Sequence, residues 1–165
     1  MRQEAMPAAV RQYVTVMRIL GVLYALAGCV FYFFPKLVFA VLNILPSMTA
    51  SLAPLPGSSE RFWVPLAFSM MIMLSALSFA AAAAPHQRGY AWIHILSKLV
   101  SSLGYFYYFL HERPDGMPVF GYLAGVITDL PIALFVLLIT LRAAMAPRRV
   151  AVEAPSADTP GNGED

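Results

Sequence analysis

The sequence predicts an all-α fold: a bundle of four transmembrane helices, with an interfacial or re-entrant segment between helices 1 and 2. Three observations predict it. Of 165 residues, 59% are hydrophobic and 12% charged, against about 45–50% and about 25% in soluble domains. Four separate stretches are apolar on every side and long enough to cross about 30 Å of hydrocarbon. Each is closed by proline, arginine or a short polar turn.

The first stretch covers 14–34 and stops at Pro35. The second covers 62–84, opening on Phe62-Trp63 and closing in an alanine run before Pro85. The third covers 90–110 and the fourth 119–141, stopping at Arg142. No water reaches backbone groups inside a bilayer, so all four must satisfy their own hydrogen bonds as α-helices. The connections at 85–89 and 111–116 are short and polar, which makes helices 2, 3 and 4 antiparallel neighbours. Residues 36–45 are apolar but too few to span, so they read as an interfacial or re-entrant helix. Pro46, Pro54, Pro56 and Gly57 turn the following segment into loop. The organisation is a four-helix transmembrane domain over 1–146 and a disordered cytoplasmic tail over 147–165, where proline, glycine, alanine and acids leave no apolar face.

Basic residues set the orientation. Arg2, Arg11, Arg88, Arg142, Arg148 and Arg149 fall on one side, with Arg18 just inside it; Lys36, Arg61 and Arg113 fall on the other, beside Glu60, Glu112 and Asp115. The excess puts both termini in the cytoplasm of a bacterial inner membrane. Trp63, Trp92, Tyr90 and Tyr122 lie near the interfaces as an aromatic belt. A net charge of +2 without a basic groove-reading motif argues against nucleic acid as a partner.

Several chemistries lack their residues. The single cysteine excludes an internal disulfide and a Cys-x-x-Cys pair. His86, His94 and His111 do not stand at matching depths for a haem. No metal-ligand spacing, phosphate-binding glycine loop or nucleophile elbow is present, so neither metal nor cofactor is expected. Leu26-Ala27-Gly28-Cys29 reads as a lipobox, but the apolar run continues to Phe34. The same small residues, Ala25, Ala27 and Gly28, would let a neighbouring helix approach closely, as would Gly121 and Gly125. Met70, Met71 and Met73 read as adaptable packing.

The informative residues are ionisable ones that water cannot easily reach: Arg18, His94, Lys98 and Asp129. On insertion scales Arg, Lys or Asp costs roughly 2.5–3.5 kcal/mol at the bilayer centre. Counting from the cytoplasmic face at about 1.5 Å per residue, Lys98 is about 12 Å deep and Asp129 about 17 Å. A lysine side chain covers that difference, so the two are expected to pair. Arg18 and His94 fall at a shallower level and are expected to make a second polar layer. His94, Lys98, Ser101, Tyr105 and Tyr108 recur at spacings of three and four, which puts them on one helix face. Thr128 and Asp129 precede Pro131, whose missing N–H frees a carbonyl near Ile127.

Arg18-x-Leu20-Gly21, then Ala27-Gly28 and the break at Pro35-Lys36, resembles the first helix of small four-helix DoxX-like membrane proteins. The helix count and long first loop fit the same family. The resemblance implies an accessory role beside quinone-linked redox enzymes, and it carries over no catalytic residue.

The expected function is an accessory subunit or small-ligand-binding protein. Its buried layer of Arg18, His94, Lys98, Ser101, Tyr105 and Asp129 would take a quinone, lipid or other amphiphile, or stabilise a membrane-protein partner or second copy. One alternative is a membrane-embedded isomerase or oxidoreductase with Asp129 or His94 as acid/base. Another is an oligomeric proton-coupled carrier.

Overall fold

A computed structural model describes residues 6–49, 51–55 and 63–146. The expected tail at 147–165, and Glu60 and Arg61 of the first loop, lie outside these residues. Helix α1 spans Ala8–Phe33, α2 Pro35–Leu42, α3 Ile44–Met48, α4 Trp63–Ala83, α5 Gly89–His111 and α6 Phe120–Met145. A 3-10 turn, Pro114–Gly116, joins α5 to α6, with Gly116 at φ +78 where a side chain would be strained.

Pro35 and Pro85 end the helices before them as their chemistry requires, whereas Pro46, expected to open a loop, lies within the first turn of α3. Phe34 leaves helical geometry at φ −128 immediately before Pro35, which then starts α2 where no N–H is needed. Pro85 closes α4 in the same way. Helix α1 runs unbroken through Cys29, and α6 runs through Pro131.

The segment expected as one interfacial helix is two short ones, hinged at Asn43. The Asn43 side chain donates from Nδ2 to the Leu55 carbonyl at 3.1 Å and accepts the Leu55 N–H at 2.7 Å. This pins the loop back onto the turn. Ala53 then forms a single parallel bridge beside Val119, accepting the Phe120 N–H at 3.2 Å and donating to Pro118 at 2.9 Å. The first loop is thereby tied to the entrance of α6.

Among the described residues, three helices are long and apolar enough to cross a membrane: Ala8–Phe33, Val64–Ala83 and Phe120–Met145. The sequence predicted four. Helix α5 has the length, 23 residues, but its His, Lys and serines keep it out of that apolar set. Length and composition therefore support a multi-pass membrane protein with three such helices.

Helix α1 packs along α4 and α5 along α6, while fewer contacts join one pair to the other. Small residues bring each pair together. Gly21 faces the Phe79 ring and Gly28 faces Met71. Ser75 donates across the first pair to the Gly21 carbonyl at 2.7 Å. In the second pair, Gly125 lies against the Tyr105 ring, and Gly121 accepts Leu55 from the loop. The core combines Tyr13, Met17 and Leu20 of α1 with Leu74, Ala81 and Ala82 of α4, Ala91 and Ile95 of α5, and Val136 and Ile139 of α6.

Beside that apolar core the interior also takes polar and charged side chains, while large apolar ones cover the outside. Leu23, Leu26, Leu96, Val100, Leu103 and Leu138 are exposed, whereas Ser75, Ser78, His94, Lys98, Ser102, Asp129 and Thr140 are buried. An apolar exterior this continuous requires an apolar surrounding.

A Cβ at Gly125 would collide with the inner atoms of the Tyr105 ring, whereas one at Gly104 meets nothing within 4 Å. Gly125→Val should therefore destabilise the protein by about 1–3 kcal/mol, read as an earlier thermal unfolding midpoint in detergent. Gly104→Ala should leave the midpoint unchanged or raise it.

Candidate functional site

Helix periodicity puts Lys98 and Ser101 on the side of α5 that meets α6, and Asp129 faces them. Lys98 Nζ donates to Asp129 Oδ1 at 2.7 Å, and Ser101 Oγ donates to Oδ2 at 2.6 Å. Both carboxylate oxygens thus have a donor. The two ionic side chains are 6% and 11% exposed, so each charge is neutralised by its partner and not by water. The ammonium also lies 5.1 Å from the centroid of the Tyr24 ring, a cation–π contact that brings α1 to the pair.

His94 sits one turn before Lys98 and is completely buried. Its Nε2 is 3.1 Å from the Tyr24 hydroxyl and its Nδ1 is 3.3 Å from Ser78 Oγ. Ser78 also donates to the Leu74 carbonyl at 2.8 Å. With the single hydroxyl proton of Ser78 spent there, Ser78 can only accept from the ring. One arrangement then satisfies every group: Nδ1–H donates to Ser78, and Tyr24 O–H donates to Nε2. This is a neutral imidazole held as one tautomer by hydroxyls from two other helices.

The result is a layer drawn from all four long helices: Tyr24 of α1, Ser78 of α4, His94, Lys98 and Ser101 of α5, and Asp129 of α6. Its formal charge is zero. Lys98–Asp129–Ser101 closes inside the α5–α6 pair. Tyr24 and Ser78 meet His94 across the boundary between pairs.

Other expected members are placed differently. Arg18 is exposed on α1 and does not join His94. A depth count carries no information on which way the helix turns a side chain. Tyr105 is 38% exposed, its ring against Gly125, so it borders the layer. Tyr108 is exposed near the end of α5, stacked 5.5 Å from Tyr122, whose hydroxyl donates to Glu112 at 2.7 Å. Thr128 turns back onto the Ala124 and Gly125 carbonyls, each at 3.0 Å.

Sequence reasoning missed Tyr24 and Ser78. The signal available for both was a hydrogen-bonding tip on a helix otherwise bound for oil.

Among the described residues, no group of three or more His, Cys, Asp or Glu is placed to hold a metal. A cavity of about 490 Å³ opens where α1 turns into α2, lined by Tyr32 to Leu37 and Val64, and shares no residue with the layer. Comparisons with protein-family models, curated proteins and solved structures find no match.

Removing one member of a buried pair strands the other charge, at a cost of about 3–5 kcal/mol. Lys98→Met and Asp129→Leu should each lower stability by that order. The double variant should recover most of the loss. A thermal unfolding cycle in detergent measures this; simply additive losses would contradict the coupling.

Proposed function

We propose that the chain is a four-span accessory subunit or small-ligand-binding protein of a bacterial plasma membrane, with both termini cytoplasmic. On this reading α5 is the fourth span. At about 1.5 Å per residue its 23 residues reach about 35 Å, and its one fully committed cation is neutralised by Asp129. Arg11, Arg88 and Arg142 stand at the end where α1 and α5 start and α6 finishes, which supports the cytoplasmic assignment.

The observation that carries the reading is the closed state of the ion pair. Both Asp129 oxygens are occupied within the protein, and Tyr24 and Ser78 occupy both ring nitrogens of His94. A catalytic acid or base needs an atom free to meet a substrate. Here the polar groups face one another, as suits helices locked into one register for a partner or an amphiphile. A quinone or lipid beside the half-exposed Tyr105, or a redox partner of the kind the DoxX-like resemblance implies, fits this role.

The test uses the full chain purified in mild detergent, with bound small molecules and proteins identified by mass spectrometry. An amphiphile or a membrane-protein partner should accompany the native chain in defined stoichiometry and be lost from a folded Lys98→Met/Asp129→Leu double variant. Recovery with neither companion, or a companion unaffected by the double change, counts against the proposal. Turnover abolished by Asp129→Asn in a folded protein would favour the catalytic alternative.

A further inference from the structure

Arg18 lies just before the middle of α1, and among the described residues no acid pairs with it. Its neighbours Ile19, Val22 and Leu23 are all about half exposed, at 54%, 49% and 53%. The guanidinium therefore lies on an exposed and otherwise apolar face of α1. Arg11 and Thr15, seven and three residues earlier, are also exposed and share that face. Among the described residues, neither guanidinium has a carboxylate within 4.0 Å.

We propose that this face of α1 is a docking surface for an acidic phospholipid, with its phosphate held between Arg11 and Arg18. The two arginines are separated by about 10 Å along the axis at about 1.5 Å per residue. Each side chain reaches several ångströms, so they can close on one phosphate from above and below. Thr15, between them, donates its hydroxyl back to the Arg11 carbonyl at 3.0 Å. With that hydroxyl proton committed, the phosphate's donors are the two guanidinium forks, whose planar N–H pairs match phosphate oxygens.

The order of residues along the face selects a lipid over a protein carboxylate. Beyond Arg18 the same face continues with Val22 and Leu26, both exposed. A charged head followed by an apolar strip mirrors a phospholipid lying along the helix. Arg88 stands elsewhere, at the N-terminal boundary of α5, where one of its N–H groups donates to the Ala143 carbonyl at 3.3 Å. This assignment is independent of the buried layer and stands or falls without it.

The probe is phosphatidylglycerol, titrated onto the full chain in neutral detergent and followed by native mass spectrometry. Phosphatidylcholine and glycerol phosphate are the comparison ligands. Two arginines at an anionic headgroup predict a preference for phosphatidylglycerol over phosphatidylcholine of roughly thirtyfold. Arg11→Gln/Arg18→Gln should bring the ratio near one, while Arg11→Lys/Arg18→Lys, with charge kept, should retain part of it. Circular dichroism and size-exclusion profiles identify which variants are folded, and the lysine pair supplies a readout if the glutamine pair is not. Preference unchanged in a folded glutamine pair overturns the proposal. So does full competition by glycerol phosphate, which would assign a soluble phosphate. A co-purifying membrane protein lost from Arg18→Gln while the lipid preference stays would assign the face to a protein instead.

Discussion

A charge carried into a dry interior must find its opposite there, and in this protein one contact discharges that obligation. Lys98 and Asp129 meet at 2.7 Å. Such a pair adds little net stability, because desolvating two ions costs about what their attraction returns. Its effect is geometric. Once the two residues are on these helices, α5 and α6 have one register in which neither ion is stranded. Ser101 completes the carboxylate, and the Tyr24 ring covers the ammonium.

His94 has a different part. The Lys98–Asp129 pair holds one pair of helices together internally, whereas the imidazole receives hydroxyls from both helices of the other pair. Lipid tails are as apolar as leucine, so apolar side chains do little to choose between neighbours in a bilayer. Directional groups choose instead. At the boundary between pairs, they converge on one ring. Backbone approach at Gly21, Gly28 and Gly125 then sets how closely each pair fits.

How far the sequence spoke depended on the kind of question. Helix ends at Phe33 and Ala83 were legible because Pro35 and Pro85 admit no alternative. The Lys98–Asp129 contact was legible because depth can be counted and opposite charges in oil have few choices. Ser101 followed from its place one turn beyond Lys98. Arg18 was misplaced because a level is not a direction: one residue of helix rotation separates an inward side chain from an outward one. Tyr24 and Ser78 escaped because a tyrosine among aliphatics resembles packing, and a serine can satisfy itself on its own helix. Ser78 does so through Leu74, and it accepts from His94 as well. The division of the 36–45 segment at Asn43 depends on Leu55, a contact twelve residues away that no local pattern carries.

The short turn between α5 and α6 has a bearing on how the chain is made. Only eight residues, 112–119, separate the two helices, so the carrier of the ammonium and the carrier of its counter-ion leave the ribosome in close succession. A nascent α5 alone would carry an unmatched cation, and a nascent α6 alone an unmatched anion. As a hairpin they present one electrically silent object. The first pair, made earlier, offers tyrosine and serine hydroxyls to receive it, so the order of synthesis suits an order of assembly in which neither Lys98 nor Asp129 is left without its counter-ion.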